Sequence, residues 1–586
     1  MNYNLNQLSA AQEKTSTYLA LKKLWQLINN EKKNLWLALG AILLNSALNL
    51  TGPLLIGYTI DKYVQHKNYS GVLSSAGILL SMYLVALFTS YFQTRLMGGV
   101  GQRMLFTLRN SVFDKLQQLP VAFFNANKAG DLISRVNNDT DKLNQFFSQS
   151  LMQFVGSLVS MVGSGIFLLF INIRLGAAAL VPALCILVFT WLFSPFVKKK
   201  NALNLKSTGA LSAEIQESLN NFKVTIAFNR RDYFRKRFED VNTQNYTTAV
   251  NAGLANNFLL PVYSLFSGLA QLVVLGYGIY LISQGQFSIG LLVSYLSYAT
   301  YFYNPLRQLA ALWTSFQVAI AGWDRISQIL SLQTNLTVVN ATPASAASPV
   351  IEFQNVSFSY DESKEILHNI NLQLEQGKTY AFVGPTGGGK TTTASLIARL
   401  YDPSKGIVLL HGKDLRSYET ETRTQQIGFI LQEPFLFTGT LKDNLLYGNK
   451  EYQFYNEEQL EEVIVNAGLT SLLNNFEGGL SAKVSSSGDV ISLGQKQLIA
   501  FMRAVLRKPA VLILDEATAN IDTVTEQLLQ SILSRLPSTT TRIIIAHRLN
   551  TIENADEIFF VNGGEVIRAG SFDNALEMLM KGRRAS

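Results

Sequence analysis

Long stretches without a single charge alternate along this chain with stretches dense in charge. Positions 34–60, 68–94, 143–173 and 175–197 contain no Asp, Glu, Lys or Arg, and neither does the longer run 241–306. A membrane-spanning helix needs roughly 20 mostly apolar residues. Each of the first four runs holds one such helix. The fifth holds two, parted by the polar turn Ser283-Gln284-Gly285-Gln286. The pattern therefore predicts six spans, near 34–60, 71–97, 149–172, 175–197, 257–282 and 288–312. Buried helices of a soluble protein would keep a polar face, and these mostly do not.

The segments 98–148 and 198–256 link spans but keep apolar residues at helical spacing, as in Leu116, Leu119, Phe123 and Phe124. Unstructured loops of that length are uncommon. The spacing predicts spanning helices that continue past the membrane and turn back there. The turns, at 123–135 and 217–227, are the segments placed to touch a domain outside the membrane. Helical spacing persists after Trp313 to about Leu332, and the Pro-bearing run of small residues at 341–349 reads as a linker. From Val350 the pattern changes. Short β-branched or aromatic strands at 379–383, 426–431, 511–514 and 542–546 alternate with helices, which implies a mainly parallel sheet with crossover helices.

Lys and Arg set the orientation. Arg95, Arg103, Arg109, Lys115, Lys128 and Arg135 lie between spans 2 and 3. Lys198, Lys199, Lys200 and further basic residues up to Arg237 lie between spans 4 and 5, and Lys22, Lys23, Lys32 and Lys33 precede span 1. By the positive-inside rule these segments face the cytoplasm. An even number of spans puts both termini there as well. Only 15% of the 586 residues are charged, and the net charge of +8 concentrates in the loops. That charge suits membrane orientation and anionic lipid headgroups better than nucleic acid, for which no aromatic-basic motif stands out. The one cysteine, Cys185, lies inside span 4 and excludes an internal disulfide and a thiol metal site. The first thirty or so residues are polar and lack a signal-peptide pattern.

Two motifs carry chemistry. Gly384-Pro385-Thr386-Gly387-Gly388-Gly389-Lys390-Thr391 fits the G-x-x-x-x-G-K-[ST] phosphate loop, with a buried-strand pattern before it and a helix predicted from Lys390 to Leu400 after it. Glycines turn backbone N–H groups toward phosphates, and the helix N-terminus adds a positive dipole end. Lys390 is expected to reach the β- and γ-phosphates and Thr391 to bind Mg²⁺, with Thr392 beside it. The second motif is the apolar strand 511–514, ending in Asp515-Glu516. Asp515 is placed to hold the metal's water shell and Glu516 to deprotonate the attacking water. His547, at the end of the strand 542–546, is placed to sense the γ-phosphate. The cofactors expected are ATP and Mg²⁺.

This set resembles the ATP-binding cassette family, specifically bacterial exporter half-transporters, over essentially the whole chain. The resemblance implies an all-α six-helix transmembrane domain at 34–332 after a cytoplasmic segment 1–33. A linker at 333–349 and an α/β P-loop nucleotide-binding domain at 350–586 complete it. Tyr360 matches the aromatic that stacks on adenine. Gln432 matches the glutamine that contacts Mg²⁺ and the water, and Asp522 belongs to the loop that crosses to the partner's site. Gly130-Asp131-Leu132-Ile133-Ser134-Arg135 is similar to the exporter sequence at the first cytoplasmic turn. The family signature Leu-Ser-Gly-Gly-Gln stands here as Ile491-Ser492-Leu493-Gly494-Gln495. Ser492, Gly494 and Gln495 survive while a leucine replaces the first glycine, and the segment before it lacks the glutamate many members carry.

Since each signature in this family completes the other subunit's ATP site, the expected partner is a second half-transporter. A heterodimer is favoured and a homodimer is the alternative. The function implied is ATP-driven export or flipping of an amphipathic or hydrophobic drug, lipid or peptide across the cytoplasmic membrane by alternating access. The alternatives are a homodimeric lipid or peptide exporter and a non-transporting ATP-gated channel or regulator. No span core holds a charge, which disfavours a pocket that binds by ion pairing. Phe167, Phe266, Tyr298, Tyr301, Phe302 and Tyr303 are candidates for substrate contact or for helix packing.

Overall fold

The computed structural model describes residues 3–5, 31–333, 336–340, 348–360, 364–485, 491–515, 523–545 and 553–581. It divides into two units. One joins Met1–Ala11, Gln117–Ala129 and Leu332–Ser586, and the other joins Gln12–Leu116 and Gly130–Ser331.

The second unit is helical. Its long helices are Lys32–Thr59, Tyr69–Gln118, Leu151–Ile171, Ile173–Asn220, Arg231–Ser283 and Ile289–Ser331. Among the described residues, five helical stretches are long and apolar enough to cross a membrane, and Ile289–Ser331 carries the remaining apolar run of the sequence. At 1.5 Å per residue, the 50-residue helix Tyr69–Gln118 reaches about 75 Å. That is more than twice the roughly 30 Å hydrocarbon core, so the helices continue well past the membrane as their spacing predicted. The chain reverses at Gly285, whose φ of 70° lets the amide of Gln286 bond back to Leu281 O at 3.0 Å.

Two devices register the helices. Near that turn the helices Lys32–Thr59 and Ile289–Ser331 meet backbone to backbone: a Cβ on Gly290 would stand 2.0 Å from Gly57 O. The Asp61 carboxylate then caps the last helix from outside, accepting from Ser288 Oγ at 2.5 Å and Gly290 N at 2.8 Å. Further in, tyrosines of the same helix donate to carbonyls of neighbouring helices: Tyr295 to Leu168 O, Tyr298 to Leu50 O and Tyr303 to Ala179 O. Phe167 stacks on Tyr298 with centroids 5.0 Å apart. Tyr298 and Tyr303 are therefore buried packing residues, while Tyr301 stays only partly covered.

The Gly-Asp-x-x-Ser-Arg segment has a structural role as well. Arg135 is buried and donates to Asp131, to Arg325 O at 2.8 Å and to Gln328 at 3.0 Å. Arg325 pairs in turn with Asp131 and with the fully buried Asp139. Buried charges are tolerable only when paired in this way.

The other unit is α/β. Its six-stranded sheet runs in the order Glu565–Gly570, Glu557–Asn562, Thr379–Val383, Thr541–Ile545, Val511–Asp515 and Ile427–Ile430. The first pair is antiparallel and the remaining pairs are parallel. Thr379–Val383 and Val511–Asp515 are buried at every position, as strands covered on both faces should be. The sequence reading overlooked a second, antiparallel sheet of Leu367–Leu374, Ile351–Phe358, Lys405–Leu410 and Lys413–Asp414. Its core joins Phe353, Val356, Leu372 and Val408 to the first sheet's Tyr380 and Ile543. A separate cluster around Leu460, Ile464, Phe501 and Met502 buries the helices between Leu441 and Val505.

This unit also contains the first cytoplasmic turn. Phe123, in the helix Val121–Ala126, is fully buried, and the chain's own Tyr3 and Leu5 are buried in the same unit. Tyr3 meets Phe123 edge-on and donates to Gln333 O at 3.0 Å. Asn127 clamps the same segment, accepting from Leu5 N at 3.1 Å and donating to Tyr3 O at 2.8 Å. The second turn, the helix Phe222–Ala227, belongs to the membrane unit and leaves Phe222, Val224 and Phe228 exposed.

Candidate functional site

The cradle forms where the buried strand Thr379–Val383 meets the helix Lys390–Ile397. Its conformation needs glycine at two places. Gly384 has φ +145°, and a Cβ there would lie 2.0 Å from Val561 O; Gly389 caps the helix at φ +115°, with Leu367 Cδ2 2.7 Å from a notional Cβ. The helix is shorter than its expected end at Leu400, because Arg399 turns left-handed at φ 51°. Lys390 is buried, and its Nζ donates to Gly384 O at 2.9 Å and Pro385 O at 3.1 Å, across the mouth of the loop. Thr386, Gly387 and Gly388 complete the turn between them. The arrangement is a concave set of N–H groups beside one buried ammonium, suited to an anion with several oxygens.

Thr391, the next residue, donates its hydroxyl to Asp515 Oδ1 at 3.3 Å. Two residues 124 apart in sequence thus present hard oxygens at one point. Among the described residues no group of three or more His, Cys, Asp or Glu is placed to hold a metal ion. One hydroxyl and one carboxylate beside a phosphate cradle fit Mg²⁺, which keeps several waters and takes few protein ligands. Gln432 sits on the exposed connection after Ile427–Ile430. Glu516, Asp522 and His547 lie outside the described residues.

Tyr360 leaves about half its surface, 51%, exposed, as a ring offered for stacking would. Its hydroxyl is 3.0 Å from that of Thr392 on the cradle helix, so the ring is tied to the loop it would serve. Phe358 and Tyr401 back it edge-on at 4.9 and 5.1 Å. Tyr401 in turn accepts from Asn125 Nδ2 at 2.7 Å, from the first cytoplasmic turn. Burial pushes the Tyr401 phenol above its ordinary range, so it stays neutral. No local pattern marks Tyr401 or Asn125, whose contact spans 276 positions, and sequence reasoning missed both.

The segment Ser492 to Gln495 opens the helix Leu493–Val505. Ser492 and Gln495 form a capping box: the Ser492 hydroxyl accepts from Gln495 N at 3.1 Å, and Gln495 Oε1 accepts from Ser492 N at 3.0 Å. Gly494 lies between them. Leu493 is the first helical residue, 41% exposed, and is not among the residues with positive φ. Its departure from glycine therefore adds a side chain at the helix mouth and imposes no backbone strain.

Residues 35–306 match the ABC transporter transmembrane region and residues 367–519 match the ABC transporter family. An uncharacterized ABC transporter ATP-binding protein of Bacillus subtilis is 33% identical over 95% of this chain and 92% of its own length. A fatty acid ABC transporter ATP-binding/permease protein of Mycobacterium tuberculosis is 31% identical over 86% of this chain and 80% of its own. A multidrug resistance ABC transporter ATP-binding and permease protein of Lactococcus lactis is 30% identical over 84% and 83%.

Proposed function

As a member of the ATP-binding cassette transporter family, this chain is a multi-pass membrane exporter whose cytoplasmic domain hydrolyses ATP, and we propose the following division of labour. Gly384 to Gly389 wrap the phosphates, Lys390 neutralises them and Tyr360 stacks on the adenine. Thr391, Gln432 and Asp515 hold Mg²⁺, which supplies charge neutralisation at the transferring phosphoryl group. Glu516 takes the proton of the attacking water, His547 contacts the γ-phosphate and Asp522 faces a second subunit. Residues 34–332 form the membrane domain, 333–349 the linker and 350–586 the nucleotide domain. The observation that carries this reading is the Gly384 to Thr391 cradle with Asp515 against its threonine hydroxyl.

ATP bound between this cradle and a facing signature holds two nucleotide domains together, and its hydrolysis releases them. Alternating access of the spans then follows as a population shift. The partner is a second half-transporter. Leu493 at the mouth of the capped helix favours a heterodimer, in which the cradle here works against an intact partner signature and Ser492 and Gly494 close a slower second site. The relatives' names point to lipid-like or drug-like cargo, and the charge-free spans suit an amphipathic molecule.

Export and ATP turnover in inside-out vesicles test this. Glu516→Gln is expected to cut both by about a hundredfold or more. An ATP-gated channel would instead keep passive flux in that variant. Purification from the native membrane through a C-terminal tag tests the partner: one second half-transporter in equal amount supports the heterodimer, and recovery of this chain alone rejects it.

A further inference from the structure

Four of the spans line an open cleft of about 290 Å³. Its polar lining comes from Asn45, Ser46 and Asn49 on the first helix, Gln93 on the second, Ser160 on Leu151–Ile171 and Tyr301 on the last. None of these is charged, yet polar side chains at span depth are costly unless they find partners. Elsewhere in the unit such groups bridge helices: Ser150 meets Ser315 at 2.8 Å, Thr190 meets Tyr263 at 3.0 Å and Ser157 meets Gln308 at 3.3 Å. Around the cleft no such bridge is found among the described residues. Asn49 Nδ2 donates to Asn45 Oδ1 at 2.6 Å within one helix. Gln93 Oε1 is buried with no hydrogen-bond partner among the described residues. Helix packing thus leaves amide and hydroxyl capacity along an open cleft, with Gln93 Oε1 the buried part of it.

We propose that this cleft binds the head group of the exported molecule, and that the head group is uncharged and carries amide or hydroxyl groups. The proposal rests on the export reading above and narrows its cargo. Volume sets the scale: the cleft holds about ten waters at ~30 Å³ each, room for a head group while the apolar remainder lies along the spans. Chemistry sets the class. Gln93 Oε1 needs a donor, the asparagines and Tyr301 offer donors and acceptors, and among the described residues no Lys, Arg or His lines the wall to match a carboxylate. A free fatty acid, the cargo named for one relative, would bury its charge unpaired.

The purified transporter in nanodiscs is to be photolabelled with two diazirine probes of equal acyl length: a ceramide, uncharged with one amide and two hydroxyls, and a fatty acid. The ceramide probe is expected to label peptides of the helices Lys32–Thr59 and Ile289–Ser331. Asn49→Leu combined with Gln93→Leu is expected to lower that labelling about tenfold, and the shape-conserving Tyr301→Phe about threefold. Equal labelling by the fatty acid, no labelling by the ceramide, or full labelling in both variants overturns the proposal. Labelling needs no ATP. Its failure therefore leaves ATP-driven export standing, and a failure of export leaves the labelling interpretable.

Discussion

The nucleotide unit carries two glycine-bearing helix starts of opposite character. At Gly384 and Gly389 the backbone occupies positive φ, and neighbouring atoms fill the space a Cβ would need. At Ser492 to Gln495 the backbone is an ordinary capped helix start, and a leucine stands there without strain. The first is constrained from within, by its own fold. The second is constrained only by whatever approaches it from outside. A change at the signature therefore leaves the domain intact and alters one interface, which makes it the easier place for two subunits to become unequal.

The largest test of this contrast is Gly384→Ala. Its methyl would press on Val561 O, and ATP hydrolysis is expected to fall about a hundredfold with a loss of stability of about 1–3 kcal/mol. ATP turnover and thermal unfolding read the two effects, and wild-type behaviour in both would break the comparison. Ser492→Ala removes the cap, costs that helix about 1 kcal/mol and leaves nucleotide binding at the cradle intact, as equilibrium nucleotide binding would report. Leu493→Gly sharpens the comparison: a rise of roughly two- to fivefold in total hydrolysis is expected once the helix mouth is cleared, and a fall would reject the side chain as the obstacle. Tyr401→Phe deletes the acceptor of Asn125 and is expected to raise the KM for ATP about two- to threefold through the loosened Tyr360 ring.

The smallest effect concerns pH. Burial holds the His411 imidazole below its ordinary range, so its folded pKa lies under its unfolded one. Its contribution to stability is present above the unfolded value, near 6.5, and is lost as pH falls through the folded one. His411→Gln is expected to flatten the acid limb of the melting temperature slightly.

Much of this was legible because it is local. Charge-free runs mark the membrane helices, and the cradle's glycines fall within the six positions 384–389. The strand ending in Asp515 is apolar without interruption. What the residues did not disclose depends on distant pairings. The antiparallel sheet of Ile351–Phe358 and Leu367–Leu374 has register irregularities that blur its alternation. Tyr298 and Tyr303 read equally as cargo contacts and as packing residues, and only their bonds to Leu50 O and Ala179 O separate the two. The sequence marks 123–135 as one segment placed to touch a domain outside the membrane. Its position does not disclose that Phe123 and Asn125 belong to the nucleotide unit and Asp131 and Arg135 to the membrane unit.

The clasp at Tyr3 and Leu5 sets an order of events in biosynthesis. Of the partners of Tyr3, Asn127 lies 124 positions on and Gln333 lies 330 positions on. Closing loops of that length costs entropy and slows folding. The bond to Gln333 therefore completes the clasp only after every span has been made, as a late step of assembly.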